Sequence, residues 1–188
     1  MWKYPDDNTR AVITAKEHIQ SGHNPQNLCL PQTAVLFYMH SGEEYLRQNY
    51  PTHLLCEKLP RFLRGCPVYQ FDLDNHFCFL DGGGGAPQAV DTLETLAALG
   101  VKTVVTVGMF GAFGENVNSG DIIIPNKAFV EEGTSLHYYD FIEYSVPSPS
   151  LYQRAVKEIT SAKSLPIVST DAVYRQTFWK EHLWREKG

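Results

Sequence analysis

The sequence contains no apolar run near the roughly 20 residues that a membrane-crossing helix needs, so no membrane role is expected. It contains no Cys-x-x-Cys pair either. Its four cysteines, Cys29, Cys56, Cys66 and Cys78, offer no zinc-ligand spacing, and no metal is expected. Cys78 stands in the apolar run Phe77-Cys78-Phe79-Leu80 and reads as a small buried hydrophobe. Reduced, structural thiols are the expectation for all four. Positive charge is in short supply. Sixteen Lys and Arg face twenty-one Asp and Glu, a net charge of −5, which argues against a nucleic-acid backbone as partner. The opening residues Met1-Trp2-Lys3-Tyr4-Pro5-Asp6-Asp7 have no apolar h-region. No signal peptide is expected, and the cytoplasm is the expected compartment. Internal repeats and low-complexity segments are absent as well.

What remains has the composition of a globular protein, with 43% hydrophobic and 20% charged residues. The length of 188 residues suits one domain with a substantial core, and residues 1–188 are read as a single domain. A short helix is expected around Ala11–Gln20. Thr33–Met39 reads as a buried strand, broken by His40-Ser41-Gly42 and followed by a helix over Glu43–Asn49. Val68–Phe71 and His76–Leu80 read as strands around the turn-rich Asp72–Asn75. A helix is expected over Pro87–Leu99. Proline suits its first turn, Val90, Leu93, Leu96 and Ala97 give it an apolar face, and Gly100 stops it. The β-branched run Val101–Val107 reads as a strand covered on both faces. Ile122–Ile124 starts a further strand that Pro125 is expected to end. Pro149–Lys163 reads as a helix and Leu165–Thr170 as a final strand. This alternation implies an α/β domain with a parallel or mixed sheet.

Two glycine clusters, Gly82–Gly85 and Gly108–Gly114, follow neighbouring strands. Ligands bind outside the carboxyl ends of strands in such folds. Glycine lets backbone N–H groups come close to a ligand, and a helix start adds a positive dipole end. An anion or a sugar fits that combination. A dinucleotide fingerprint does not. Counting G-x-G-x-x-G from Gly82 puts the third glycine at Pro87, and counting from Gly83 puts it at Gln88. A phosphate-binding P-loop is excluded, because no Gly-Lys-Ser/Thr follows. Glycines that merely permit tight turns are the structural alternative.

Four runs carry a resemblance. They are Gly82–Pro87 with its helix and Leu99-Gly100-Val101-Lys102; Val107-Gly108-x-x-Gly111-Ala112; Asn118–Pro125; and Glu132-Gly133-Thr134-Ser135-Leu136-His137-Tyr138. Ser169-Thr170-Asp171-Ala172-Val173-Tyr174-Arg175 joins them. Together they resemble the nucleoside phosphorylase superfamily, of the purine nucleoside and uridine phosphorylase kind. The resemblance implies a three-layer α/β fold, a mixed β-sheet flanked by helices. It implies phosphorolysis of a ribo- or deoxyribonucleoside to free base and ribose 1-phosphate, with inorganic phosphate as co-substrate and no cofactor. It also implies a homo-oligomer built from dimers, up to a hexamer.

Carried over by position, Gly83, Gly84, Thr106, Gly108, Met109 and Phe110 would line the phosphate and ribose side. Val168, Ser169, Thr170 and Asp171 would flank the base, with Tyr174 and Arg175 on the loop beyond. For Asp171 a turn or cap carboxylate is an equal alternative, and for Arg175 a surface arginine is. His137 is a further candidate, against a packed or interface histidine. The pattern breaks in three places. The family has arginine where Thr106 stands and serine or threonine where Met109 stands; Thr106 carries no charge and a thioether donates no hydrogen bond. His40-Ser41-Gly42, with Arg47 further on, occupies the place of the family's first phosphate loop. The sequence ends at Gly188, before the family's Met-Glu ribose clamp, so a domain missing its last strand and helix region is expected. Two alternatives stay open. One is a nucleosidase, which uses water. The other is an inactive relative or fragment acting as a binding or oligomerisation module.

Overall fold

The computed structural model describes residues 9–21, 28–39 and 41–187. The opening residues Met1–Asp7 and His40 lie outside the described residues. The chain divides into two compact units, Met1–Met109 and Phe110–Gly188, both of mixed α/β construction.

The first unit runs α1 (Ala15–Gln20), β1 (Thr33–Tyr38), α2 (Gly42–Asn49), β2 (Thr52–Cys56), β3 (Val68–Phe71), β4 (Asp74–Asp81), α3 (Gly85–Ala98) and β5 (Thr103–Gly108). Its five-stranded mixed sheet has the order β2-β3-β4-β1-β5. β4, β1 and β5 are parallel, and β2 and β3 add antiparallel strands at one side. Thr33 stands opposite both Phe77 and Thr103, so the three parallel strands end level, at Tyr38, Asp81 and Gly108. Alternation along the strands puts Ala34, Leu36, Val68, Cys78 and Leu80 into one core with Leu96 of α3. Burying each large side chain contributes about 1.5–3 kcal/mol. The opposite sheet face stacks Phe79 against Tyr69 and Phe71.

Local chemistry explains the helix ends. In α1, Thr14 and Glu17 form a capping box, and the helix starts four residues later than expected, at Ala15. α3 ends in a Schellman turn. Gly100, at φ +91°, donates to the Ala97 carbonyl, and Val101 donates to that of Leu96. The inner side of α3 differs from the expected stripe: Thr92, Thr95 and Leu96 are buried, whereas Leu93 is exposed. The Thr92 hydroxyl is satisfied inside by Arg61 and by the Gln88 carbonyl, which makes its burial cheap. β5 is an edge strand with Val105 and Val107 exposed, so the expectation of a strand covered on both faces does not hold within this unit.

The second unit contains β6 (Ile123–Glu131), a 3-10 turn (Thr134–His137), β7 (Tyr144–Ser145), α4 (Pro149–Glu158), β8 (Lys163–Thr170), a second 3-10 turn (Val173–Arg175) and α5 (Phe178–Glu186). Its mixed sheet has the order β7-β6-β8, with β6 antiparallel to β7 and parallel to β8. Pro125 does not end β6. The register shifts between Pro125 and Ala128, and this irregularity absorbs a residue that cannot donate to the ladder. α4 is shorter than expected, because Ile159 leaves helical geometry at ψ 73°.

All four cysteines are free thiols. Burial pushes the Cys66 thiol up to about 12 and the Cys78 thiol up to about 11. The thiolate is the reacting form. Native protein treated with iodoacetamide at pH 8 is therefore expected to label exposed Cys29 and to leave Cys66 and Cys78 intact, as read by peptide mass. Labelling of Cys78 before Cys29 would contradict the placement of β4 against β1.

Candidate functional site

In the first unit the candidate residues gather at the level carboxyl ends of β1, β4 and β5. Gly82 follows β4 and donates to the Phe37 carbonyl at 2.9 Å. Gly83 sits at φ +101° and donates to Asp81 Oδ1 at 2.7 Å. Gly84 caps α3, and its N–H donates to Gln88 Oε1 at 2.8 Å. Both of these backbone donors, expected to be open to a ligand, are thus held by side chains of the same turn. Thr106 and Gly108 lie on β5 opposite Leu36 and Tyr38, and Met109 follows, exposed.

The turn is braced from below. The Arg61 side chain is completely buried. Its Nη1 donates to the Asp81 carbonyl at 3.0 Å and to Thr92 Oγ1 at 2.8 Å, and its Nε donates to the Arg64 carbonyl. Its Nη2 has no hydrogen-bond partner and lies 3.8 Å from Asp81 Oδ2. Asp91 accepts from the Phe62 and Leu63 N–H groups at 2.9 and 2.7 Å, which fastens this segment to α3. Arg47, the other cation considered for this edge, pairs with Glu43 at 3.1 Å and lies over the Tyr69 ring. Arg47 and Arg61 are therefore both engaged within the unit.

Tyr38, Asp81 and Arg61 escaped the sequence reading. The Asp81 signal was present in its position directly before four glycines. Gly83 gives a direct test of the turn. Its left-handed backbone costs a side chain about 1–2 kcal/mol. A Cβ there would also lie 2.5 Å from Gln88 Cγ. Gly83→Ala is expected to destabilise the first unit by about 1–3 kcal/mol in urea titration. A neutral result would mean that the turn takes another conformation.

In the second unit a cavity of about 490 Å³ is bounded by Phe110, Phe113, Ile123, Phe129, Val168 and Trp184, among others. It is mostly apolar and within the size range of small-molecule sites. Trp184 holds one wall. It is buried, lies against Phe113, and donates from Nε1 to Glu131 Oε1 at 2.6 Å. Lys180 Nζ bonds Glu131 Oε2 at 2.8 Å. Burial pushes the Glu131 carboxyl up, but the bonds from Lys180 and Trp184 outweigh it and hold the group below its usual 4.5. Arg185 donates to the Phe113 carbonyl at 2.7 Å and so fixes the 110–117 segment to α5.

Of the remaining candidates, Ser169 and Thr170 end β8 beside Val130 and Glu131. Asp171 accepts from the Gly133 N–H at 2.8 Å, which is the turn-capping alternative weighed for it. Glu132 accepts from Thr134 N at 2.6 Å and from Ser135 N at 3.1 Å, so its carboxylate caps the 3-10 turn. His137 ends that turn and is exposed. Tyr174, at 97% exposure, and exposed Arg175 are not among the cavity's lining residues. The structure thus brings Phe110 and Val168 together at the cavity and leaves Tyr174 and Arg175 in solvent. Among the described residues no group of three or more His, Cys, Asp or Glu could hold a metal ion, and no helix is long and apolar enough to cross a membrane.

A family model described as the phosphorylase superfamily matches residues 41–188. A similar solved structure is the uridine phosphorylase of Vibrio fischeri ES114 in complex with 6-hydroxy-1-naphthoic acid. It matches at a TM-score of 0.69 and 19% identity, over 85% of this chain and 66% of that one. The chain therefore spans about two-thirds of that protein's length. No curated protein matches the sequence significantly.

Proposed function

The chain belongs to the phosphorylase superfamily, and from that premise we propose that it carries the ribose and base sides of an enzyme that cleaves the N-glycosidic bond of a nucleoside. Inorganic phosphate is the proposed acceptor. A phosphate oxygen bonds to C1′ as the C1′–N bond breaks, and the electron pair leaves with the base, which takes up a proton. The products are free base and ribose 1-phosphate. The protein's contribution is positioning and electrostatic stabilisation of an oxocarbenium-like transition state. One observation carries the reading. Phe110, assigned to the ribose turn, and Val168, assigned to the base, meet on one cavity whose aromatic and apolar walls suit a planar heterocycle. No cofactor is part of the proposal. A dimer-based homo-oligomer is, and sedimentation velocity tests it.

Hydrolysis is the second reading, and a specific observation favours it. At the carboxyl edge of the first unit, Thr106 and Met109 stand where phosphate ligands are wanted, Arg47 is paired and Arg61 is buried. An assay of base release from purine and pyrimidine nucleosides, with and without phosphate, separates the two. Release that requires phosphate supports phosphorolysis, and release without it supports hydrolysis. No release in either condition sinks both and leaves a non-catalytic binding module.

A further inference from the structure

We propose that residues 110–117 form a strap over the second unit's cavity, hinged at Gly111 and Gly114 and latched by Lys163 and Arg185, and that its release admits the ligand. The inference rests on the nucleoside reading above only for what that ligand is. The run 110–117 supplies one wall of the cavity, and β6, β8 and α5 supply the rest. β6 and β8 are held together by a parallel ladder. The strap has no such support. Among the described residues no backbone hydrogen bond joins 110–117 to a strand of the unit. Two cationic side chains hold it instead. Arg185 Nε, on α5, donates to the Phe113 carbonyl at 2.7 Å, and Lys163 Nζ, at the start of β8, donates to the Asn116 carbonyl at 2.8 Å. Each cation is pinned in turn, Lys163 by Asp121 Oδ2 at 2.6 Å and Arg185 by Glu181 Oε2 at 3.6 Å.

Both latches are partly exposed, so water can replace either bond when it breaks. A segment tied down in this way opens locally while the sheet beside it stays intact. The Phe113 ring, 5.6 Å from that of Trp184, is the apolar contact that the strap must give up. The two glycines point to a second conformation. Neither has a positive φ. A Cβ on Gly111 would meet nothing within 4 Å, and one on Gly114 would meet Val117 Cγ2 at 3.6 Å, an ordinary contact. Alanine would fit at both positions with the strap in place. The backbone freedom of glycine is therefore spent on the strap's movement, at positions able to absorb a hinge rotation.

Native-state proteolysis of the 188-residue chain with a glutamyl endopeptidase tests this. Glu115 is exposed within the strap, and cleavage after it requires the strap to detach. Peptide masses are expected to show cleavage at Glu115 roughly tenfold faster in Lys163→Met and in Arg185→Met, and near the parent rate in Lys163→Arg. A Gly111→Ala, Gly114→Ala double variant keeps both latches and is expected to slow cleavage roughly fivefold. Unchanged cleavage in both methionine variants would overturn the proposal. So would an equal acceleration at Glu143 and Glu158, because the whole unit would then be opening together. Should a methionine variant fail to fold, the alanine pair decides, and cleavage no slower than the parent's overturns the strap. Stopped-flow binding of uridine and adenosine separates a gate from a fixed wall. Loss of a latch should raise association and dissociation rates together, roughly tenfold each, with Kd nearly unchanged. A rise in dissociation alone makes the run a fixed wall and overturns the gate. A parent that binds neither nucleoside sinks the nucleoside reading, and the strap then stands or falls on cleavage at Glu115.

Discussion

Arg61→Leu is expected to lower the stability of the first unit by about 3 kcal/mol. The leucine would fill part of the volume but would leave the Asp81, Thr92 and Arg64 oxygens without the donor they share. Buried acceptors stripped of a partner cost about 1–3 kcal/mol each, and the relieved desolvation of the guanidinium returns some of that. Arg61→Lys should not rescue the loss. A single ammonium cannot reproduce a planar fork that reaches three oxygens at once. Native-state hydrogen exchange at the β1 and β4 amides is the measurement. A loss under about 1 kcal/mol would mean that the guanidinium is not the brace of the Gly82–Gly85 turn.

Trp184→Ala should cost the second unit about 3–5 kcal/mol, the usual range for removing a buried indole. It would also release Phe113 and open one wall of the cavity. Trp184→Phe separates packing from hydrogen bonding, because it keeps most of the ring and loses the bond to Glu131. The acid limb tells the two apart. A carboxylate held below its unfolded value contributes stability above that value and loses it as pH falls through the folded one. The parent should therefore lose stability as pH falls below about 4.5, and Trp184→Phe should lose less over the same window. Identical acid limbs would show that the indole N–H does not hold Glu131. Thermal unfolding followed by tryptophan fluorescence between pH 3 and pH 7 reads this through Trp2, Trp179 and, in the parent, Trp184.

The parts legible in the sequence are those set by neighbours along the chain. β1, β3, β4, α3 and β8 follow from runs of apolar residues punctuated by glycine and proline. The two glycine turns at one sheet edge follow from their positions after parallel strands. Contacts made across the chain were not legible. In Leu59-Pro60-Arg61-Phe62-Leu63-Arg64, nothing local separates Arg61 from Arg64; partners 20 and 31 residues away decide which is buried. Pro125 reads as a strand end until pairing with β8 supplies the register shift that tolerates it. α5 went unread because Phe178 and Trp179 are exposed and Trp184 is its one buried residue, so no apolar stripe marks it. Tyr174 and Arg175 rested on resemblance, and exposed positions have no periodicity to check against.

The fit of the Tyr38 ring against Gly82 ties two distant positions into one evolutionary unit. A side chain cannot enter at Gly82 while the phenol is in place, and a smaller residue at position 38 would leave a gap above that turn. Descendants of this sequence can then change these positions only in order, with 38 shrinking before 82 grows. Tyrosine at 38 paired with alanine at 82 should be a combination that natural variation avoids.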